Sequence, residues 1–105
     1  MSPTPTARSL ERLRAFGWTV GVVEQRIPHT NITRDLFGFI DLLAIRGTET
    51  MAVQVTSGSN VAARVHKIAE SEHVGAVRTA GWSICVHGWR KNAKGEWTLR
   101  VVDVS

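Results

Sequence analysis

The sequence predicts a single α/β domain in which helices pack on one sheet. The chain has 105 residues, which leaves room for one core, and 43% of them are hydrophobic, which is typical of a folded domain. Its apolar residues alternate between helical and strand-like spacing, in the order helix, three strands, helix and two strands. Residues 1–6, with two prolines, are predicted to form a flexible tail, and residues 7–105 are predicted to form the domain.

The N-terminal part of the domain predicts a helix followed by a strand. Leu10, Leu13 and Phe16 recur at helical spacing over residues 7–16, and Gly17 provides a stop signal. Residues 18–25 turn β-branched and predict a strand. A polar stretch with a proline follows, which predicts a loop that extends to about residue 35.

The next two apolar runs predict a β-hairpin. Residues 37–45 and residues 51–55 are strand-like, and Gly47-Thr48 between them suits a type II′ turn. If Arg46 pairs with Glu49 across this turn, the register places Asp41 opposite Gln54. Opposite residues of an antiparallel pair have Cβ atoms roughly 4.5–5.5 Å apart, so the two side chains would share one face.

A second helix and a second hairpin complete the predicted order. Ser59 or Asn60 is the candidate N-cap of a helix that continues toward Ala80, with Gly75 as a candidate break. Residues 82–89 and residues 96–104 predict two strands joined by a basic turn.

Charge and composition favour an anionic partner. Thirteen Lys and Arg stand against nine Asp and Glu, which gives a net charge of +4. Nucleic acid is the leading candidate partner, although small basic proteins without one are common.

The single Cys85 excludes an intramolecular disulfide and a Cys-rich zinc site, and it suits a reducing compartment. No apolar run is long enough for a membrane span and no signal peptide is evident, so we expect a cytoplasmic protein with no membrane partner.

Asp41 is the polar residue that fits its surroundings least. It lies within the apolar run Phe39–Ile45, where an ionised carboxylate without a partner would cost several kcal/mol. One interpretation is a buried Asp held by backbone amides or an arginine. The other is a metal ligand, with the Gln54 amide oxygen reaching the same hard cation. Thr56 points to the same face as Gln54, although both could be the polar side of a half-exposed strand.

These residues carry a resemblance to a known family. Residues 38–44, Gly-Phe-Ile-Asp-Leu-Leu-Ala, followed by Val53-Gln54-Val55-Thr56, resemble the motif of the PD-(D/E)XK nuclease superfamily, in its small Holliday-junction-resolvase-like and VRR-NUC-like branch. The resemblance implies a restriction-endonuclease-like α-β-β-β-α-β core with a mixed sheet, followed by the last hairpin strand. It also implies a prokaryotic or phage-encoded, metal-dependent DNA endonuclease that acts on branched DNA as a homodimer. Asp41 and Gln54 would then be catalytic ligands of Mg²⁺ or Mn²⁺.

The chain departs from the family pattern at one catalytic position. Thr56 stands where the family has a lysine, and a threonine supplies no positive charge. Either the activity is lost, which leaves a module that binds DNA or a partner protein without cleavage, or the cation comes from the following helix. In the second case Lys67 is the catalytic candidate and Arg64 a phosphate contact, the alternative for both being solvated surface charges.

A third metal ligand is expected from one of several acids. Glu11 in the first helix and Glu24 near the end of the first strand are the two candidates carried forward. Asp35 lies just before the second strand, where it could instead form a loop ion pair with Arg34.

The expected DNA contacts are basic residues that hold the backbone without regard to sequence. They are Arg26, Arg34, Arg64, Arg90, Lys91 and Lys94. Trp89 and Trp97 flank the basic turn and could stack on bases, but packing on one side of the last hairpin is favoured over this. The weakest alternative is a small basic adaptor from a phage or mobile-element operon, with no role in nucleic acid binding.

Overall fold

A five-stranded mixed sheet forms the centre of the protein, as a computed structural model shows for residues 3–105. The elements in chain order are α1 (Pro5–Ala15), β1 (Thr19–Val22), β2 (Gln25–Arg26), β3 (Thr33–Arg34), β4 (Leu42–Arg46), β5 (Glu49–Ser57), a 3-10 turn (Gly58–Asn60), α2 (Val61–Ala69), α3 (Val74–Thr79), β6 (Ser83–Lys91) and β7 (Trp97–Asp103). The sheet has the order β1-β4-β5-β6-β7, and β2 and β3 form a separate small hairpin. The predicted α/β class is confirmed.

The one parallel pairing follows from the helical crossover. β5 and β6 are parallel, whereas the other three neighbouring pairs of the sheet are antiparallel. A parallel pair needs a connection of a dozen or more residues, and α2 and α3 provide it. Among the described residues, no helix has the length and apolar character needed to cross a membrane.

The first helix starts earlier than predicted. Thr4 is the N-cap, because its Oγ1 accepts a hydrogen bond from the Ala7 amide at 3.1 Å, and Pro5 occupies the first helical position. A proline suits that position because its missing N–H would have no partner there. The prediction of a flexible tail is therefore wrong for residues 4–6, and Met1 and Ser2 lie outside the described residues.

The predicted β4–β5 register is confirmed, but the strand before the turn is shorter than expected. Arg46 pairs with Glu49 and Leu42 with Val53. β4 begins only at Leu42, because residues 36–40 form a tight turn closed by two hydrogen bonds between Leu36 and Ile40. Phe39 and Ile40 of that turn are buried in the core, whereas Phe37 is exposed, so the apolar composition of the turn is the same as that of a strand.

Two other predicted elements are divided in the structure. The strand predicted over residues 18–25 separates into β1 and the start of β2. The helix predicted up to Ala80 breaks after Ala69, where the Ser71 amide donates to the Ile68 carbonyl at 3.1 Å. Gly75, the candidate break, lies inside α3 instead. The polar run at residues 70–73 ends the helix more effectively than one glycine.

The sheet is covered on both faces. On one face α2 and α3 pack through Val61, Ile68, Val74 and Val77. On the other face α1 packs through Leu13, beside Trp89 and the partly buried Trp97. The predicted packing of both tryptophans is confirmed, and Cys85 is a buried apolar residue of the same core.

Gly88 allows α2 to lie close to the sheet. A Cβ at this position of β6 would overlap Cγ2 of Val61, the first residue of α2. The lack of a side chain therefore fixes the distance between α2 and the sheet. This distance matters for the site, since α2 carries Arg64 and Lys67.

A buried polar network ties α1 to β6. Ser9 Oγ accepts a hydrogen bond from Trp89 Nε1 at 2.8 Å and lies 2.9 Å from His87 Nδ1. The serine hydroxyl can therefore donate to a neutral imidazole. Burial, followed by the charge of Arg12, lowers the pKa of His87 to about 4. His87 is thus a structural residue that the fold keeps neutral.

This network predicts a pH-dependent loss of stability. The pKa of His87 is about 4 in the folded state and close to the ordinary histidine value of 6.5 when unfolded, so its contribution to stability is complete above pH 6.5 and is lost as the pH falls toward 4. The loss is at most about 1.4 kcal/mol per pH unit. Thermal melts of the wild type and His87→Gln, which cannot titrate, should diverge over this range, with the steeper decline in the wild type. Parallel profiles would contradict the assignment.

Candidate functional site

An open cleft of about 1000 Å³ lies on the sheet face that carries α2. Its walls come from the first turn of α1, the β2–β3 hairpin, the start of the β4–β5 hairpin, α2 and the turn between α2 and α3. We call it the central cleft. Asp41, Gln54, Thr56, Arg64 and Lys67, all proposed from the sequence, line it together.

The side chains of Asp41 and Gln54 meet inside the cleft, as the register predicted. Asp41 is 5% exposed and immediately precedes β4. Its Oδ2 accepts hydrogen bonds from Gln54 Nε2 at 2.6 Å and from the Val55 amide at 2.8 Å. The backbone of Asp41 also donates to the Val53 carbonyl at 2.9 Å, which holds the carboxylate in place on β5.

Two further carboxylates converge on Asp41. Oxygens of Glu24, Asp35 and Asp41 all lie within 4.8 Å of one another, and we call this group the acidic cluster. The β2–β3 pairing of Gln25 with Arg34 places Glu24 and Asp35 side by side at the base of that hairpin. The Val23 amide donates to the Asp41 carbonyl at 2.9 Å and brings this base to the sheet.

The acidic cluster includes one of the two acids that the sequence predicted as candidates for the third metal ligand. Glu24 belongs to it, whereas Glu11 is exposed on α1 and does not line the cleft. Asp35, which the sequence left undecided, belongs to it as well. Asp35 is not in an ion pair with its neighbour Arg34 but with Lys67.

Burial and neighbouring acids change the protonation of Asp41. Burial, followed by the Asp35 carboxyl group, raises the pKa of Asp41 to about 7, and the Glu24 charge adds to this effect. The Val55 hydrogen bond acts in the opposite direction but is outweighed. At neutral pH the cluster therefore favours binding of a proton or of a cation.

The side-chain oxygen of Gln54 is buried without a hydrogen-bond partner among the described residues. The residue is 3% exposed, and its Nε2 donates its hydrogen bond to Asp41 Oδ2. Its Oε1 accepts none within the described part of the chain. A buried acceptor without a partner costs about 1–3 kcal/mol. Carboxylate and amide oxygens are the donors that Mg²⁺ and similar hard cations prefer, so this set of residues fits a divalent metal.

The cations of the cleft lie around the acidic cluster. Lys67 Nζ is 3.4 Å from Asp35 Oδ2, and the lysine side chain is 41% exposed. Arg64 on α2 and Arg34 on β3 also line the cleft, and within residues 3–105 neither forms an ion pair. Thr56 is 7% exposed and brings only a hydroxyl group. The positive charge that Thr56 lacks is therefore present on the neighbouring helix.

Four of the predicted DNA contacts lie outside the central cleft. They are Arg26 on β2, and Arg90, Lys91 and Lys94 at the end of β6 and in the turn after it. Arg90 and Lys91 instead line a separate surface cavity of about 440 Å³ that begins at Ser57, next to Thr56. Contacts with a ligand at these positions would require one that extends beyond the cleft.

No family model matches the chain, and no curated protein gives a significant match to it. The resemblance to PD-(D/E)XK nucleases therefore stays a prediction from the motif residues.

The raised pKa of Asp41 predicts that this residue destabilises the metal-free protein at neutral pH. Because its pKa is about 7 when folded and near 3.8 when unfolded, stability is lost as the pH rises through this range. The neutral Asp41→Asn can keep the hydrogen bonds from Gln54 and Val55. In EDTA at pH 8 the variant should melt about 4 °C or more above the wild type, as expected for about 1 kcal/mol in a small domain.

The same measurement with metal provides the control. Mn²⁺ should raise the melting temperature of the wild type more at pH 8 than at pH 5.5, since protons compete with the metal, and it should have little effect on Asp41→Asn. Equal pH profiles for the two proteins would contradict the description of the acidic cluster.

Proposed function

We propose that this chain is a metal-dependent endonuclease that hydrolyses phosphodiester bonds in DNA. The observation that carries the proposal is the convergence of Glu24, Asp35 and Asp41 next to an unpartnered amide oxygen of Gln54. Oxygens of the three acids lie within 4.8 Å of one another, so repulsion among their charges favours a divalent cation bound between them. The motif resemblance supports the same activity.

The ligands of Mg²⁺ or Mn²⁺ would be the carboxylates of the acidic cluster and Gln54 Oε1. When bound, such an ion lowers the pKa of a coordinated water and offsets charge on the phosphate. Asp41 is held by Gln54 Nε2 and Val55, so its orientation does not depend on the ion. The chain thus supplies a preformed ligand at the centre of the cluster.

Lys67 supplies the positive charge that Thr56 lacks at the position of the motif lysine. Its ammonium group lies at the edge of the acidic cluster, 3.4 Å from Asp35 Oδ2. From this position it can stabilise negative charge that develops on the reacting phosphate. Arg34 and Arg64 line the same cleft and would hold the flanking phosphates.

DNA binding would be governed by charge rather than by base sequence. The cleft cations and the exposed basic residues at the end of β6 contact phosphates in this proposal, so affinity should fall steeply with salt. Branched DNA remains the substrate that the resemblance suggests, and a homodimer remains the expected assembly.

A second candidate function is a non-cleaving module that binds DNA or a partner protein. The observation that favours it is Thr56 itself, which supplies no charge at the motif position. The two functions share the fold and the cleft. They differ in whether the protein cleaves DNA, which in the first case requires Lys67 to supply the charge that Thr56 lacks. An adaptor without any nucleic acid role would show no salt-sensitive retention of DNA.

Cleavage assays separate these functions. The wild type with Mn²⁺ should cut at least one of branched, nicked and linear DNA, and Asp41→Ala should abolish cleavage. Lys67→Ala should lower the single-turnover rate about 10²-fold or more, which is typical for loss of one catalytic group. Arg100→Ala, which removes an exposed basic residue of β7 that does not line the cleft, should leave that rate unchanged.

The outcomes are distinct. Salt-sensitive binding of DNA with no cutting under Mg²⁺ or Mn²⁺ identifies the binding module. A Lys67→Ala enzyme that cuts at the wild-type rate removes the lysine from the mechanism. Failure to bind any DNA overturns the endonuclease and the DNA-binding module, and leaves only a module that binds a partner protein.

A further inference from the structure

A small apolar pocket opens beside the central cleft. It has a volume of about 170 Å³ and is lined by Phe37, His73, Ala76, Val77, Ala80 and Trp82, and we call it the aromatic pocket. Phe37 and His73 also line the central cleft, so the two cavities share a wall. A ligand in the cleft can therefore extend into the pocket.

Phe37 is held in an unusual position at this shared wall. The residue is 41% exposed, and its ring centroid lies 5.6 Å from that of His73 and 6.4 Å from that of Trp82. Its φ angle is 55°, in the left-handed region, where a bulky L-residue costs roughly 1–2 kcal/mol. An exposed aromatic ring on a strained backbone is a common feature of binding sites, because such strain persists only where the surrounding structure imposes it.

The chemistry of the two cavities together identifies the ligand. The pocket offers flat aromatic and methyl surfaces, while the adjoining cleft offers the guanidinium groups of Arg34 and Arg64. A nucleotide combines the two matching parts, a flat base and a negatively charged phosphate. We propose that the aromatic pocket binds one unstacked nucleobase of the DNA strand whose phosphate lies in the central cleft. This inference rests on the proposed function.

The proposal defines the substrate class. A base inside a continuous duplex is paired and stacked, so it reaches a pocket only after costly extrusion. A base in a single strand, a flap or a mismatched bubble is already free to stack on an aromatic side chain. The preferred substrates are therefore DNAs with unpaired nucleotides at the site of cleavage, in preference to fully paired duplexes.

Binding of fluorescent oligonucleotides tests the proposal without cleavage. Anisotropy titrations with Ca²⁺ in place of Mg²⁺ compare a single strand with a duplex of the same sequence. The wild type should bind the single strand more tightly. Phe37→Leu, which removes the ring and keeps an apolar side chain, should weaken single-strand binding about fivefold or more, the lower end of one base–aromatic stack, and leave duplex binding within about twofold.

Three controls make the measurement specific. Phe37→Tyr keeps an aromatic ring and should retain wild-type binding. Phe16→Leu removes an exposed ring at the C-terminal end of α1 and should have no effect. A 2-aminopurine base in the single strand should change its emission on binding to the wild type and not to Phe37→Leu. If Phe37→Leu fails to fold in a thermal melt, His73→Ala replaces it as the test variant.

The results distinguish this inference from the function it rests on. Equal binding of single strand and duplex, equal effects of Phe37→Leu on both, or equal effects of Phe16→Leu and Phe37→Leu overturn the base pocket while DNA binding stands. Absence of binding to either DNA overturns the proposed function as well.

Discussion

The structure of the site depends on one buried carboxylate. Asp41 is fixed on three sides, by the side chain of Gln54 and by the backbones of Val53 and Val55. These contacts exist only in the register that the Gly47-Thr48 turn sets between β4 and β5. A shift by one residue would turn the carboxylate to the α1 face, among the apolar side chains there and away from Glu24 and Asp35. The hairpin register is therefore both a folding constraint and the basis of the site.

The charged groups nearest to Asp41 determine its electrostatic environment. Burial, followed by the two acids beside it, raises the pKa of Asp41, and this lowers the stability of the fold at neutral pH. Lys67 offsets part of the charge from α2, and the close approach of α2 at Gly88 brings that helix over the sheet. The remaining charge is what a divalent cation would neutralise.

The sequence predicted the part of the site that regular structure positions. Asp41 and Gln54 could be paired because a two-residue turn and alternating strands define a register. The contribution of Asp35 could not be predicted, because it depends on β2 and β3, which have two residues each and leave no periodic signal. The turn that carries Phe37 is predicted as a strand, since its buried Phe39 and Ile40 give it the apolar composition of one. Lys67 was a candidate from its place on a helix, but its contact with Asp35 required the three-dimensional structure.

The most direct test of this account is a crystal structure of the wild-type protein soaked with Mn²⁺ above pH 7. The account predicts an anomalous peak within coordination distance of Asp41, the Gln54 amide oxygen and at least one of Glu24 and Asp35. Saturating Mn²⁺ that leaves the cluster without a peak, or a peak bound only by surface groups elsewhere, would contradict it.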